Sequence, residues 1–269
     1  LSADVNQAIE QGKANIKAIK AVTPEEATFE NTFGALESAT EDLDRSWGRV
    51  NHLDSVANSE ELREALNEML PVVSEFSSSI SLDSDLWKVL KSFAGSASGL
   101  SEIQQRYLEE TCADFKSAGA DLDGEAKKRM FELNSELAQV TQKYGENVLD
   151  STNAWELFVE DESRLAGLPE SAKASAAEDA KAKGKEGQWR FTQQFPSMYP
   201  VMQYAEDDSL RKEIWKGGCT IGHGGEHDNS DLVWEILRLR QEKAELLGFA
   251  NFGDLTLERR MATVSYTHL

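Results

Sequence analysis

The sequence predicts a mainly α protein, a multi-helical chain with one small β element around residues 155–195. Three observations lead to that class. Apolar residues recur three or four positions apart over long stretches. Capping residues and glycines punctuate those stretches at helix-like intervals. Only two short segments, Trp155 to Glu160 and Gln188 to Thr192, exchange that spacing for the aromatic and β-branched residues that suit strands.

Taken in order, Val5, Ile9, Ile16 and Ile19 fall broadly on one face of a helix between Ser2 and Ala21. Thr23-Pro24-Glu25-Glu26 reads as a fresh helix start, with Thr as N-cap, Pro at the first helical position and Glu at the third. Asn58, with Glu61 three residues later, opens a helix through Leu62, Leu66, Met69 and Leu70, which Pro71 is expected to kink or end. The small-residue run Ala94 to Gly99 reads as a loop. Ile103, Tyr107, Leu108, Cys112 and Phe115 form one stripe from Ser101 to Ala118, stopped by Gly119. The longest pattern, Met130, Leu133, Leu137, Val140, Tyr144 and Val148, predicts a core-packed helix of about seven turns from Gly124 to Leu149.

The character changes after Asp150. Strand, helix and strand follow, the helix being the Ala/Lys/Glu-rich stretch from Pro169 to Lys185. Helical spacing returns from Tyr199, and a last clear helix runs from about Ser230 to Leu247, with N-cap candidates at Asp228 to Asp231 and a stop at Gly248. This helix carries Leu232, Val233, Trp234, Ile236, Leu237 and Leu239, more apolar surface than one side of a helix needs.

Charge narrows the function classes. Forty-eight acidic against 28 basic residues give a formal charge of -20, which repels phosphate backbones and anionic membranes and excludes nucleic acid as a natural partner. No apolar run reaches the roughly 18 residues of a membrane span, and the first twenty residues lack a signal-peptide core. Because the chain opens on Leu1 and not Met, loss of a targeting segment stays open. Cys112 and Cys219 stand far apart and suggest a reducing, cytoplasmic compartment.

The chemistry-bearing strings are few. His223-Gly224-Gly225-Glu226-His227 spells HxxEH, a pattern in which a helix can bring two histidines onto one face to hold zinc while the glutamate activates water. Gly222, Gly224 and Gly225 each cost a helix about 1 kcal/mol relative to alanine, so a flexible loop leading into the next helix is expected instead. His52 and His268 are isolated, and Asp207-Asp208 reads as a surface or capping pair. HExxH, GxSxG, Walker-type and GxGxxG motifs are absent from the 269 residues. No catalytic, cofactor-binding or metal-ligating residue is therefore assigned within the chain.

Particular strings carry more than periodicity does. Ser117-Ala118-Gly119-Ala120-Asp121-Leu122, Glu132-Leu133, Asn147-Val148-Leu149-Asp150, Gly167-Leu168-Pro169 and Pro196-Ser197-Met198-Tyr199-Pro200-Val201-Met202 occur in order. Asp228-Asn229, Ile236 to Arg240 and Leu246 to Phe252 follow them. Together they resemble the N-terminal part of the zinc-dependent thimet oligopeptidase and oligopeptidase A family, most specifically from Ser117 to Ala262. The resemblance implies a helical wall of a deep channel that admits short, unstructured peptides, in a monomeric parent enzyme. It also implies a zinc site at an HExxH beyond Leu269, whose glutamate acts as general base toward zinc-bound water.

Two departures stand out. Where the family has an arginine-glycine loop before Asp-Asn, this chain has Ile221-Gly222-His223. The match also fades after Met261-Ala262. Residues 1–150 are read as an N-terminal helical domain, 151–262 as the helix-rich start of the catalytic region, and 263–269 as a truncation or foreign tail. The fragment is expected to be inactive alone and to bind no zinc. The alternative is a self-sufficient acidic helical module that binds a basic partner without enzymatic activity.

Overall fold

Residues 2–262 are described by the computed structural model. Helix α1 (Ser2–Lys20) buries Val5, Ile9, Ile16 and Ile19 as its spacing requires. The expected start at Thr23 gives only a turn. The Glu26 amide bonds the Thr23 carbonyl at 3.1 Å, and the Thr23 hydroxyl reaches the Glu26 carboxylate, but no helix follows. The competing cap lies five residues on, where the Thr28 amide donates to Asn31 Oδ1 (2.8 Å) and the Asn31 amide to Thr28 Oγ1 (3.2 Å). A π-turn at Glu30–Gly34 then buries Phe33 and leads into α2 (Ala35–Ser38).

Four helices follow: α3 (Glu41–Ala57), α4 (Glu60–Ser81), α5 (Ser84–Ser96) and α6 (Glu102–Ala118). Ser59, not Asn58, caps α4 by accepting from the Leu62 amide at 3.2 Å. Pro71 does not end α4, which continues for ten residues beyond it. Met69, Val73 and Phe76 are buried on both sides of the proline, and each such side chain contributes about 1.5–3 kcal/mol, enough together to offset the roughly 3 kcal/mol that an internal proline costs. Ala94, Gly95 and Ser96 belong to α5 and not to a loop, so the small-residue linker is shorter than expected. A capping box of Ser101 and Gln104 starts α6, and Gly119 at φ +101° stops it. Leu108 and Phe115 are buried, whereas Ile103, in the first turn, is 83% exposed and leaves the expected stripe.

Helix α7 (Gly124–Ala154) has 31 residues and runs five past the expected Leu149. Its stripe is not uniformly core. Met130 and Leu133 are fully buried, Leu137, Val140 and Val148 are half-buried, and Tyr144 is 38% exposed.

The chain divides into two compact units, one of residues up to Gln139 with those from Ile236 on, the other Val140–Glu235. The first holds two apolar clusters. One gathers Ile16, Ile19, Phe33, Leu86, Trp87 and Leu90, with Trp87 stacked on Phe115 at 5.6 Å. The other joins Val5 and Ile9 to Leu43, Met69, Val73 and Phe76. In the second unit, β1 (Glu156–Val159) and β2 (Trp189–Thr192) pair antiparallel, Glu156 opposite Thr192 and Val159 opposite Trp189, with α8 (Glu170–Ala182) between them in sequence. Helices α9 (Phe195–Tyr204) and α10 (Asp208–Cys219) complete that unit around Val159, Leu165, Phe191, Val201, Leu210 and Ile214. Helix α11 (Ser230–Leu246) has residues in both units, and α12 (Phe252–Leu257) is capped by Asn251. The small β element within a helical chain is thus the fold class expected.

Candidate functional site

The HxxEH string is the place to test for chemistry, and its backbone decides its form. Gly222, Gly224 and Gly225 have φ of +66°, +76° and +71°, values an α-helix cannot hold. Residues 220–229 accordingly form a loop after α10, with one 3₁₀ turn at Gly225–His227. His223 and Glu226 are exposed and His227 is half-buried.

The base of this loop is built with care. The Asn229 amide donates to the Gly222 carbonyl (2.9 Å), and its side-chain Nδ2 to the Tyr144 carbonyl of α7 (3.2 Å). Asn147 Nδ2 donates to Asn229 Oδ1 at 2.9 Å, both asparagines being buried. Ser151 Oγ accepts from the Gly222 amide at 3.1 Å. A methyl group on Gly222 would stand 2.8 Å from Asn229 Nδ2, so glycine is required there by space as well as by φ. Asp228 accepts from the Ser230 hydroxyl (2.7 Å) and amide (3.0 Å); the hydroxyl foremost, with the Ser230 and Gly224 amides, holds its carboxyl below the usual carboxylate range. Both contacts tie Asp228 to Ser230, the first residue of α11.

Zinc requires three or four convergent ligands. Among the described residues no group of three or more His, Cys, Asp or Glu side chains is arranged to hold a metal ion, and His223, Glu226 and His227 sit on a loop instead of one helical face. The described residues therefore present no such ligand set. His52 is exposed on α3, and His268, like the 263–269 tail, lies outside the described residues.

Other charged groups act as fasteners. Arg129 of α7 donates through Nε and Nη2 to the two Glu242 oxygens (2.5 and 2.9 Å) and through Nη1 to Glu136 (2.7 Å). Glu242 foremost, with Glu136, pushes the guanidinium pKa up. Asp207 caps α10 by accepting from the Ser209 amide (2.8 Å) and hydroxyl (2.6 Å) and also accepts from Arg164 Nε (2.8 Å); the Ser209 hydroxyl foremost, with Arg164, holds its carboxyl far below the ordinary value. The capping role expected of that acidic pair therefore belongs to Asp207. Sequence reasoning missed both arginine clamps, because their partners lie 113 and 43 residues away.

The order of the strings and this helical architecture find a counterpart in known proteins. The family model described as the neurolysin/thimet oligopeptidase N-terminal domain matches residues 5–127, and that of peptidase family M3 matches residues 201–268. The chain belongs to the thimet oligopeptidase and oligopeptidase A family. Oligopeptidase A of Haemophilus influenzae is 38% identical over 242 residues, covering 87% of this chain and 35% of that protein. Oligopeptidase A of Escherichia coli is 37% identical over the same length. The dipeptidyl carboxypeptidase of Escherichia coli is 26% identical over 265 residues, 96% of this chain and 38% of that protein. The chain spans about a third of the length of the curated oligopeptidases it matches.

Proposed function

We propose that this chain forms the N-terminal, channel-shaping part of a zinc-dependent oligopeptidase that hydrolyses short, unstructured peptides in the cytoplasm, and that it has no peptidase activity alone. The observation that carries this reading is the pair of family matches, an oligopeptidase N-terminal domain over residues 5–127 followed in order by peptidase family M3 over residues 201–268. Hydrolysis in such an enzyme is supplied by a metal-activated water. The 269 residues contain no HExxH, and the HxxEH string lies on a loop with one 3₁₀ turn.

What this chain's residues contribute is position. Asn147, Ser151 and Asn229 fix the loop after α10 to α7, and Asp207 with Arg164 fixes the start of α10. As part of the same proposal, residues 1–150 are assigned to the N-terminal domain and 151–262 to the beginning of the catalytic region. The free thiols Cys112 and Cys219 support a reducing compartment.

The test uses zinc content and cleavage of an internally quenched peptide. The purified chain is expected to hold no stoichiometric zinc and to cleave nothing. Residues 1–262 joined to the remaining part of the Haemophilus influenzae oligopeptidase A are expected to bind zinc and to cleave, with loss of cleavage on chelation. Zinc-dependent turnover by the 269-residue chain alone would overturn the reading and make His223, Glu226 and His227 the residues to mutate. A joined protein that folds, binds zinc and cleaves no peptide would overturn it from the other side.

A further inference from the structure

Helix α11 is apolar on two sides. Ile236 and Leu239 are buried on one, while a second stripe leaves Val233 39%, Trp234 73% and Leu237 49% exposed. A tryptophan open to water to that extent, beside two aliphatic side chains at helical spacing, is costly in a chain of charge -20 whose remaining surface is well supplied with charges. Asp231, Glu235 and Arg238 border the stripe, giving it the dry centre and charged rim of a protein interface.

We propose that this face of α11 seats the portion of the family's polypeptide that lies outside the matched region, with Trp234 as the central anchor. The inference rests on the family reading above and adds to it a named docking surface. Two facts choose the occupant. The matched regions cover only 35% of the oligopeptidase A relatives, leaving about two thirds of each polypeptide to be packed somewhere. The peptidase family M3 match, residues 201–268, contains the whole of α11, so this helix belongs to the segment that leads into that remainder. A second copy of the chain, as a dimer, is the competing occupant.

The experiment compares hydrogen exchange of residues 230–246 in the 269-residue chain and in the joined protein described above. Protection in the joined protein is expected to rise about tenfold or more. Trp234→Glu is expected to lower the melting temperature of the joined protein while leaving that of the 269-residue chain unchanged. Equal exchange in both proteins, or no effect of Trp234→Glu on the joined one, overturns the proposal. Cleavage without added protection would refute the docking surface and leave the peptidase reading standing; protection without cleavage would do the reverse. Should the joined protein not fold, the 269-residue chain decides. Binding of a hydrophobic dye that Trp234→Lys with Leu237→Lys abolishes is expected. A monomer that binds no dye, or a dimer that both substitutions dissolve, overturns the assignment.

Discussion

Asn147 of α7 and Asn229, 82 residues later, meet side chain to side chain at 2.9 Å in a buried site, and the second asparagine passes the contact on to the backbone of α7 and of the loop after α10. Each side-chain amide is both donor and acceptor, so Asn229 can accept from Asn147 and still donate to the Tyr144 carbonyl. Replacing Asn229 by alanine leaves the buried Asn147 Nδ2 without its acceptor. A loss of about 1–3 kcal/mol is expected. Urea denaturation of Asn147→Ala, Asn229→Ala and the double variant should give a double-variant loss smaller than the sum of the singles. Additive losses would show that the two side chains are not coupled.

Gly222 should be the least replaceable residue of the glycine loop. Its φ is +66° and a methyl group there meets Asn229 Nδ2 at 2.8 Å, whereas the space around Gly224 and Gly225 is open. Positive φ alone costs an alanine about 1–2 kcal/mol. Gly222→Ala is therefore expected to lower the denaturation midpoint more than Gly224→Ala does, and equal effects would remove the argument from crowding.

The Arg129–Glu242 clamp sets a pH dependence. Hydrogen bonding to Arg129, ahead of the opposing effect of desolvation, lowers the Glu242 pKa below its ordinary 4.5. A carboxyl whose folded pKa is depressed stabilises the fold above its unfolded pKa, and that contribution is lost as pH falls through the folded value. Glu242→Gln should thus cost on the order of 1 kcal/mol at neutral pH, and the difference from the parent protein should close as pH drops below about 4.5. A gap that does not narrow at all as pH falls below 4.5 until the proteins unfold would assign the effect to packing.

Lys243 gives a slope of the same sign from a different cause, in an alkaline window. Its ammonium bonds Asn134 Oδ1 at 2.9 Å, and burial lowers its pKa from 10.5. Between the folded and unfolded values the unfolded chain binds more protons, so this residue's contribution to stability rises with pH through that window. Lys243→Met should remove this slope without loss of stability at pH 7. A destabilised Met variant would show that the Asn134 contact outweighs desolvation.

Several elements were legible from local patterns. The spacing of Val5, Ile9, Ile16 and Ile19 found α1, the alternation around Trp155 and Trp189 found both strands, and the glycines at 222, 224 and 225 kept HxxEH from being read as a helical zinc site. The helix start expected at Thr23 and the end that is one of two outcomes expected at Pro71 fail for one cause. Start and stop signals weigh about 1–3 kcal/mol, and neighbouring contacts of equal size, the Thr28–Asn31 cap and the burial of Val73 and Phe76, reverse them.

The sequence by itself determined the helical class, the place of the β element, the family and the loop character of the glycine run, because each depends on residues within a few positions of one another or on strings in order. Tertiary structure alone decided that Asn147 meets Asn229, that Arg129 grips Glu242 and that Trp234 faces outward. Those relationships join residues tens of positions apart, or depend on which side of a helix is covered. Periodicity marks a face as apolar, but only packing determines whether anything lies against it.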